Sequence, residues 1–301
     1  MPIPKFPEFK TLGIEDRDEI ESCFRRSNPT NSESTFTNLF MWRLSYHFQV
    51  SMDLDKLLIL ASPEERAPFF LPPAGDDIRA EDFKSLLGFM QDKGWSPRIK
   101  SVPKDMIDRS RLWEDDYFNI RYNRDDSDYV YLTQSLIPLS GRKFHKKKNH
   151  LNQFLQNNSF IFEPLSEKNR KGCLEMEESW CDFRKCDERP GLMREMIAVR
   201  EALNNMENLS CTGGVILIDG KIEAFSLGEA LNNDTVVAHV EKANPNIRGL
   251  YVAINQQSCE HLWADFTYIN REQDLGEEGL RKAKLSYNPS HLVEKYTITP
   301  R

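Results

Sequence analysis

Apolar and polar positions repeat one order of elements twice along this chain. In the first half, residues 46–50, 56–61 and 68–71 alternate in the manner of three short strands, with Asp53-Leu54-Asp55 turning between the first two. A helical pattern at 80–93 follows, then a strand near 98–102, a helix near 104–111 and a strand at 117–122. In the second half, strands at 214–218 and 221–230 flank Asp219-Gly220, and Asp-Gly between alternating apolar residues is the strongest short-range hairpin signal. A third strand at 236–241, a helix of little charge at 248–262, a strand at 266–269, a helix at 277–286 and a closing strand at 291–297 complete the pattern. Between the halves lie a helix at 141–158, which Ser140 is placed to cap, a strand at 160–163, and helices at 167–181 and 190–205.

The pattern predicts an α+β or α/β chain of two domains, residues 1–140 and 141–301. Each holds an antiparallel meander, a crossover helix and a parallel strand. A strand–helix–strand unit implies a right-handed crossover, and ligands in such units bind at the carboxyl ends of the strands. The shared order suggests duplication, although the halves show no evident sequence identity.

That rule directs attention to two polar clusters. The first ends the strand at 236–241 with Glu241-Lys242-Ala243-Asn244, and the second follows the strand at 266–269 with Asn270-Arg271-Glu272-Gln273-Asp274. Glu241 can take a proton from an attacking amine or hydroxyl, or bind an ammonium; its bland alternative is a salt bridge to Lys242 or Arg248. Asn255, one helical turn beyond Tyr251, can reach the same cleft. Asn270 directly ends its strand and is the catalytic candidate of the second cluster. Arg271, Glu272 and Asp274 are substrate-binding candidates, with helix capping as the alternative for Asp274. Lys284 lies beside the apolar stripe of the last helix and is placed to stabilise an oxyanion, or else to snorkel. Tyr287, where the chain turns back toward the sheet, is a further substrate-binding candidate.

Composition narrows the classes. The 301 residues are 39% hydrophobic and 29% charged, which describes a globular chain, and no run approaches the ~20 apolar residues of a membrane span. The N-terminus MPIPKFPEFK lacks an apolar export region, so the six cysteines read as reduced thiols of a cytoplasmic protein. Cys173, Cys181 and Cys186 have seven and four residues between them, which is no zinc spacing, so no metal is expected. Cys211 and Cys259 read as core, and no Gly-x-Ser-x-Gly surrounds Ser286. Trp42, Trp95 and Trp113 read as core or interface anchors in a first half otherwise poor in candidate chemistry. The net charge of −7 still permits a local basic strip, and Arg142, Lys143, Lys146, Lys147 and His150 supply one. It is either a solvated face or a contact for a nucleic acid or another polyanion.

Three stretches, GRKFHKKKNHLNQF at 141–154, HVEKANPNIRGLYVAINQ at 239–256 and YINREQDLGEEGLRKAKLSYNP at 268–289, resemble the family named after the C-terminal domain of phosphatidylglycerol lysyltransferase. Fem-type transferases of peptidoglycan assembly are similar in architecture. The resemblance implies two GNAT-like domains in tandem, splayed parallel strands with the donor in the gap, and aminoacyl transfer from aminoacyl-tRNA. Lys284 matches a lysine of that pattern. Full lysyltransferases carry a membrane-embedded region before this domain; none is present here, so the expected acceptor is a small or peptide-like amine or hydroxyl without integral membrane association. The acetyltransferase pyrophosphate loop is reduced to Asn246-Ile247-Arg248-Gly249-Leu250, with one glycine. No cofactor is therefore expected. The alternatives are an acetyl-CoA-dependent N-acetyltransferase with a degenerate loop, and a non-catalytic RNA- or nucleotide-binding protein on a decayed transferase fold. The oligomeric state is not legible.

Overall fold

A computed structural model describes residues 2–301. The chain divides into two compact units, each with its own core. Unit 1 holds residues up to Asp128, with Gln273–Gly276 and Val293–Arg301; unit 2 holds Tyr129–Glu272 and Glu277–Leu292.

Unit 1 begins with β1 (Lys10–Thr11), α1 (Arg17–Ser27), α2 (Phe36–Tyr46), β2 (Gln49–Asp53), β3 (Lys56–Ala61) and β4 (Phe69–Phe70). It continues with α3 (Ala80–Asp92), β5 (Ile99–Pro103), α4 (Lys104–Arg109) and β6 (Phe118–Leu132), whose last four residues belong to unit 2. The predicted meander is present: β2 pairs antiparallel with β3, and β3 with β4. The crossover through α3 brings β5 parallel to β4 over a single residue pair, Phe70 with Ile99. Leu58, Phe70, Phe83, Leu87, Val102 and Ile298 lie in the core of this unit.

Unit 2 contains α5 (Thr133–Leu136), α6 (His145–Asn157), β7 (Phe160–Pro164), α7 (Glu167–Arg184), α8 (Pro190–Asn204) and β8 (Cys211–Ile218). Then come β9 (Lys221–Ala230), β10 (Thr235–Ala243), α9 (Leu250–His261), β11 (Tyr268–Asn270), α10 (Glu278–Leu285) and β12 (His291–Pro300). Asp219 and Gly220 have φ of 51° and 78°, the paired left-handed values of a two-residue hairpin turn, and they join β8 to β9 as the sequence predicts. β9 pairs antiparallel with β10, and β10 runs parallel to β11. Strand order here is β6-β11-β10-β9-β8-β7. The low charge of α9 is explained by its burial: Leu250, Val252, Ala253, Ile254, Asn255, Gln256, Ser258 and Cys259 are all buried.

Five expectations are corrected. The division falls inside β6, at Asp128 and Tyr129, rather than at 140. The closing strand β12 pairs with β5, through Lys295 to Pro103 and Tyr296 to Val102, so its end serves unit 1. Both differences reflect strand pairings distant in sequence, which local periodicity does not encode. Cys181 and Cys186 form a disulfide, leaving Cys23, Cys173, Cys211 and Cys259 as free thiols. Lys185, left-handed at φ 55°, closes α7 and folds Cys186 back to a Cα–Cα distance of 5.2 Å from Cys181. Ser140 does not cap the basic helix, which is preceded by a 3-10 turn at Arg142–Phe144, and Trp113 is half-exposed rather than a core anchor. Among the described residues, no helix is long and apolar enough to cross a membrane.

Candidate functional site

The parallel pair of unit 2 is short. Thr235, Val236 and Val237 pair with Tyr268, Ile269 and Asn270, and there β11 ends. β10 runs on to Ala243, past an irregularity in its register with β9 between Ala238 and Val240. Pairing therefore stops at Asn270, and the polar clusters of the sequence stand just beyond it.

On one face of β10 the Glu241 carboxylate receives Arg271 at Nε (2.9 Å) and Nη2, and Asn255 at Nδ2 (2.6 Å). The sequence brings Glu241, Asn255 and Arg271 to one place, as expected, but the partner of Glu241 is Arg271 and neither Lys242 nor Arg248. Both Glu241 carboxylate oxygens accept from donors, so Glu241 anchors Arg271 and Asn255 at the strand end. Burial would pull the Arg271 guanidinium down, but Glu241 outweighs it and holds the cation above its ordinary range. Two buried atoms of this cluster have no hydrogen-bond partner: Arg271 Nη1 and Asn255 Oδ1.

Tyr287 lies beneath it, buried, with the Arg271 Cζ 4.5 Å from its ring centroid. Burial pushes the Tyr287 phenol up to about 12. Tyr131 packs edge-on to Tyr287, with centroids 6.3 Å apart, and donates its hydroxyl to the Lys284 carbonyl at 2.9 Å. The Lys284 Nζ itself donates to the Arg271 carbonyl. Lys284 thus points toward the strand end while Lys282 is exposed, as the apolar stripe of α10 implied.

Two candidates hold turns. The Asn270 side chain is fully buried, and its Oδ1 accepts the Glu272 amide at 2.8 Å, closing the turn that ends β11. Asp274 belongs to unit 1, where it accepts the Gly276 amide at 2.9 Å and faces Arg124 at 3.3 Å. It therefore neither joins this cluster nor caps α10, whose N-cap residue is Glu277. The reason is local: Leu275 and Gly276 are both left-handed, and the Asp274 side chain is needed for that turn.

Glu272 does reach a site partner, one that the sequence reading missed. The His239 imidazole is fully enclosed and lies between Glu272, at 2.8 Å from Nδ1, and Glu229, at 2.9 Å from Nε2. Burial alone would lower the imidazole, but the two carboxylates hold it protonated, up to about 9. On the face of β10 opposite Glu241, as strand alternation requires, Lys242 packs 3.4 Å over the Trp180 ring. It is 3.1 Å from Glu195 and 3.5 Å from Glu177, whose carboxyl is pushed by burial up to about 7. Trp180 in turn donates to the Tyr251 hydroxyl at 2.6 Å.

The basic strip divides. Arg142, Lys143 and Lys146 are exposed and His150 is half-buried. Lys147 turns inward, its Nζ 3.8 Å over the Tyr287 ring. Burial and then Arg271 pull its amine down to about 8, against the opposing pull of Glu241. The Asn288 amide, next to Tyr287, also donates to the Lys143 carbonyl at 3.2 Å, so the start of the strip is tied to this cluster.

An antiparallel meander feeding a splayed parallel pair, present in both units, defines a GNAT-like acyltransferase fold. The chain belongs to the phosphatidylglycerol lysyltransferase C-terminal family, whose model matches residues 24–299. It is similar to a solved conserved protein of unknown function from Bacteroides thetaiotaomicron, at 33% identity and a TM-score of 0.90, over 97% of this chain and 99% of that one. L-PGS from Bacillus licheniformis shares the fold at 12% identity and a TM-score of 0.64, over 99% of this chain and 94% of that one. FemX does so at 8% identity and a TM-score of 0.61, over 96% of each chain.

Proposed function

We propose that the chain transfers an aminoacyl group from aminoacyl-tRNA to a small or peptide-like amine or hydroxyl, with no bound cofactor. One observation carries this reading. An exposed run of cations, Arg142, Lys143 and Lys146, leads through the inward Lys147 and Tyr287 to the Arg271 cluster at the strand splay. Polyanion contact and ester chemistry are thereby joined on one short path. A phosphate backbone along α6 would deliver the acylated end of a tRNA toward the strand ends.

The start of α9 supports a donor other than coenzyme A. The Leu250 and Val252 amides already donate to the Ile247 and Gly249 carbonyls. A Cβ at Gly249 would collide with the His150 carbonyl of α6, so that side of the first turn is packed. Amides that cradle a diphosphate elsewhere are engaged here. Calorimetric titration with aminoacyl-tRNA, uncharged tRNA and acetyl-CoA tests the reading. Tight binding of the tRNAs and none of acetyl-CoA is expected; micromolar affinity for acetyl-CoA with none for tRNA would overturn it in favour of an acetyltransferase.

A further inference from the structure

Lys147 stands apart from the other cations of its helix. Arg142, Lys143, Lys146 and Lys148 are exposed, whereas Lys147 is half-buried. It follows Phe144 by three residues and precedes Leu151 by four, and both of those side chains are buried. Helical spacing therefore turns it to the core side. Its ammonium meets the face of Tyr287, 3.8 Å from the centroid, instead of a carboxylate. Arg271 lies over the same ring at 4.5 Å. The nearby carboxylate, Glu241, is already committed to Arg271 and Asn255.

A lysine desolvated beside a second cation is the arrangement that yields a neutral amine near physiological pH. A lysine that only grips phosphate gains nothing from losing its proton. We propose that Lys147 is a catalytic base of the transfer reaction, accepting the proton of the attacking acceptor and passing it to the departing ribose oxygen. This rests on the aminoacyl-transfer reading given above. The acceptor nitrogen or oxygen bonds to the ester carbonyl carbon, whose π electron pair moves to the carbonyl oxygen. When that pair returns, the bond from carbon to the ribose oxygen breaks. The acceptor proton moves to the Lys147 Nζ and then to the ribose oxygen, so Lys147 ends as it began.

The groups that set its titration are few. Arg271 and Glu241 carry charge at the strand ends. Tyr287 is pushed up to about 12 and Tyr131 is raised by burial, so both phenols stay neutral through this range. On α6 itself, His145, Lys146, Lys148 and His150 are the titratable residues within one turn, and Lys143 lies in the turn before it.

The test uses the full chain, a radiolabelled pool of aminoacyl-tRNA and ethanolamine as a surrogate acceptor. Lys147→Arg keeps the charge but cannot become neutral. It should bind the tRNA pool within about 2-fold of the unmodified protein, yet lose ~10²–10⁴-fold in turnover, together with the acid limb of the pH–rate profile near 8. Unchanged turnover in Lys147→Arg would overturn the proposal. So would weakened tRNA binding with unchanged turnover at saturation, which would make Lys147 a phosphate contact. No label release by the unmodified protein would reject the aminoacyl-transfer reading and this proposal with it. Carbon-13 reductive methylation followed by NMR titration measures the amine independently of activity. A midpoint near 8 supports the proposal, and one in the ordinary lysine range rejects it whatever the fate of the transfer reading.

Discussion

The two units share a topology and differ in chemistry at the same place. In unit 1, β4 is followed by Leu71, Pro72 and Pro73, all buried, and β5 ends in the buried Val102 and Pro103. In unit 2, the corresponding strand ends carry Glu241 and Arg271. The ionic centre of unit 1 lies elsewhere and is saturated: the buried Lys295 ammonium is 2.6 Å from Glu33, 2.6 Å from Asp128 and 3.3 Å from the Ser32 hydroxyl. The cluster of unit 2 leaves Arg271 Nη1 and Asn255 Oδ1 without partners. Two units of one topology thus spend one set of buried charges on cohesion and leave unpartnered buried polar atoms in the other.

The sharpest way to break this contrast is to remove the cation of unit 1. Lys295→Met should leave two buried carboxylates uncompensated and cost ~3–5 kcal/mol in urea denaturation. A loss below 1 kcal/mol would show that this cluster is not cohesive. The next effect concerns His239. Its folded pKa, about 9, lies above the unfolded value of about 6.5. The stability it adds is therefore complete below pH 6.5 and lost as pH rises through 9, on the order of 3 kcal/mol. Urea midpoints for the unmodified chain should fall between pH 7 and 10, and His239→Gln should flatten that fall; parallel curves would assign the effect to other groups. Third, Gly249→Ala forces a side chain onto φ 88° and into the His150 carbonyl, so a loss of ~1–3 kcal/mol is expected from thermal unfolding. The smallest effect on the fold belongs to the exposed strip. Replacing Arg142, Lys143 and Lys146 with Ala should leave stability within ~0.5 kcal/mol but flatten the log–log salt slope of tRNA binding by roughly 2–3. An unaltered slope would reduce the strip to a solvated face.

Much of this was legible in residue order, and the exceptions have one physical origin. The Asp219-Gly220 hairpin, the meander, α9 and the parallel β11 follow from periodicity and turn chemistry, which are local. Arg271 meeting Glu241, His239 meeting two carboxylates, and β12 returning to β5 are contacts between residues far apart in sequence, and no window contains them. Lys147 is an intermediate case. Its spacing from Phe144 and Leu151 was present in the sequence, but the surrounding run of lysines hid it among surface charges. The disulfide was concealed differently: a compartment argument treats cysteines as a population, whereas the left-handed Lys185 makes two of them neighbours. Asn270 and Asp274 show that a polar residue near a strand end also serves the turn that follows.

The return of β12 has a consequence for synthesis. Residues 293–301 leave the ribosome after the rest of both units, and they complete a unit whose other strands emerged first. Until then β5 has an open edge, with unpaired amides and carbonyls facing whatever is nearby. Unit 2, whose meander is joined by short turns, can assemble while unit 1 still waits. A chain stopped a few residues early would lose little mass yet expose the β5 edge, so its fate would be aggregation rather than partial function.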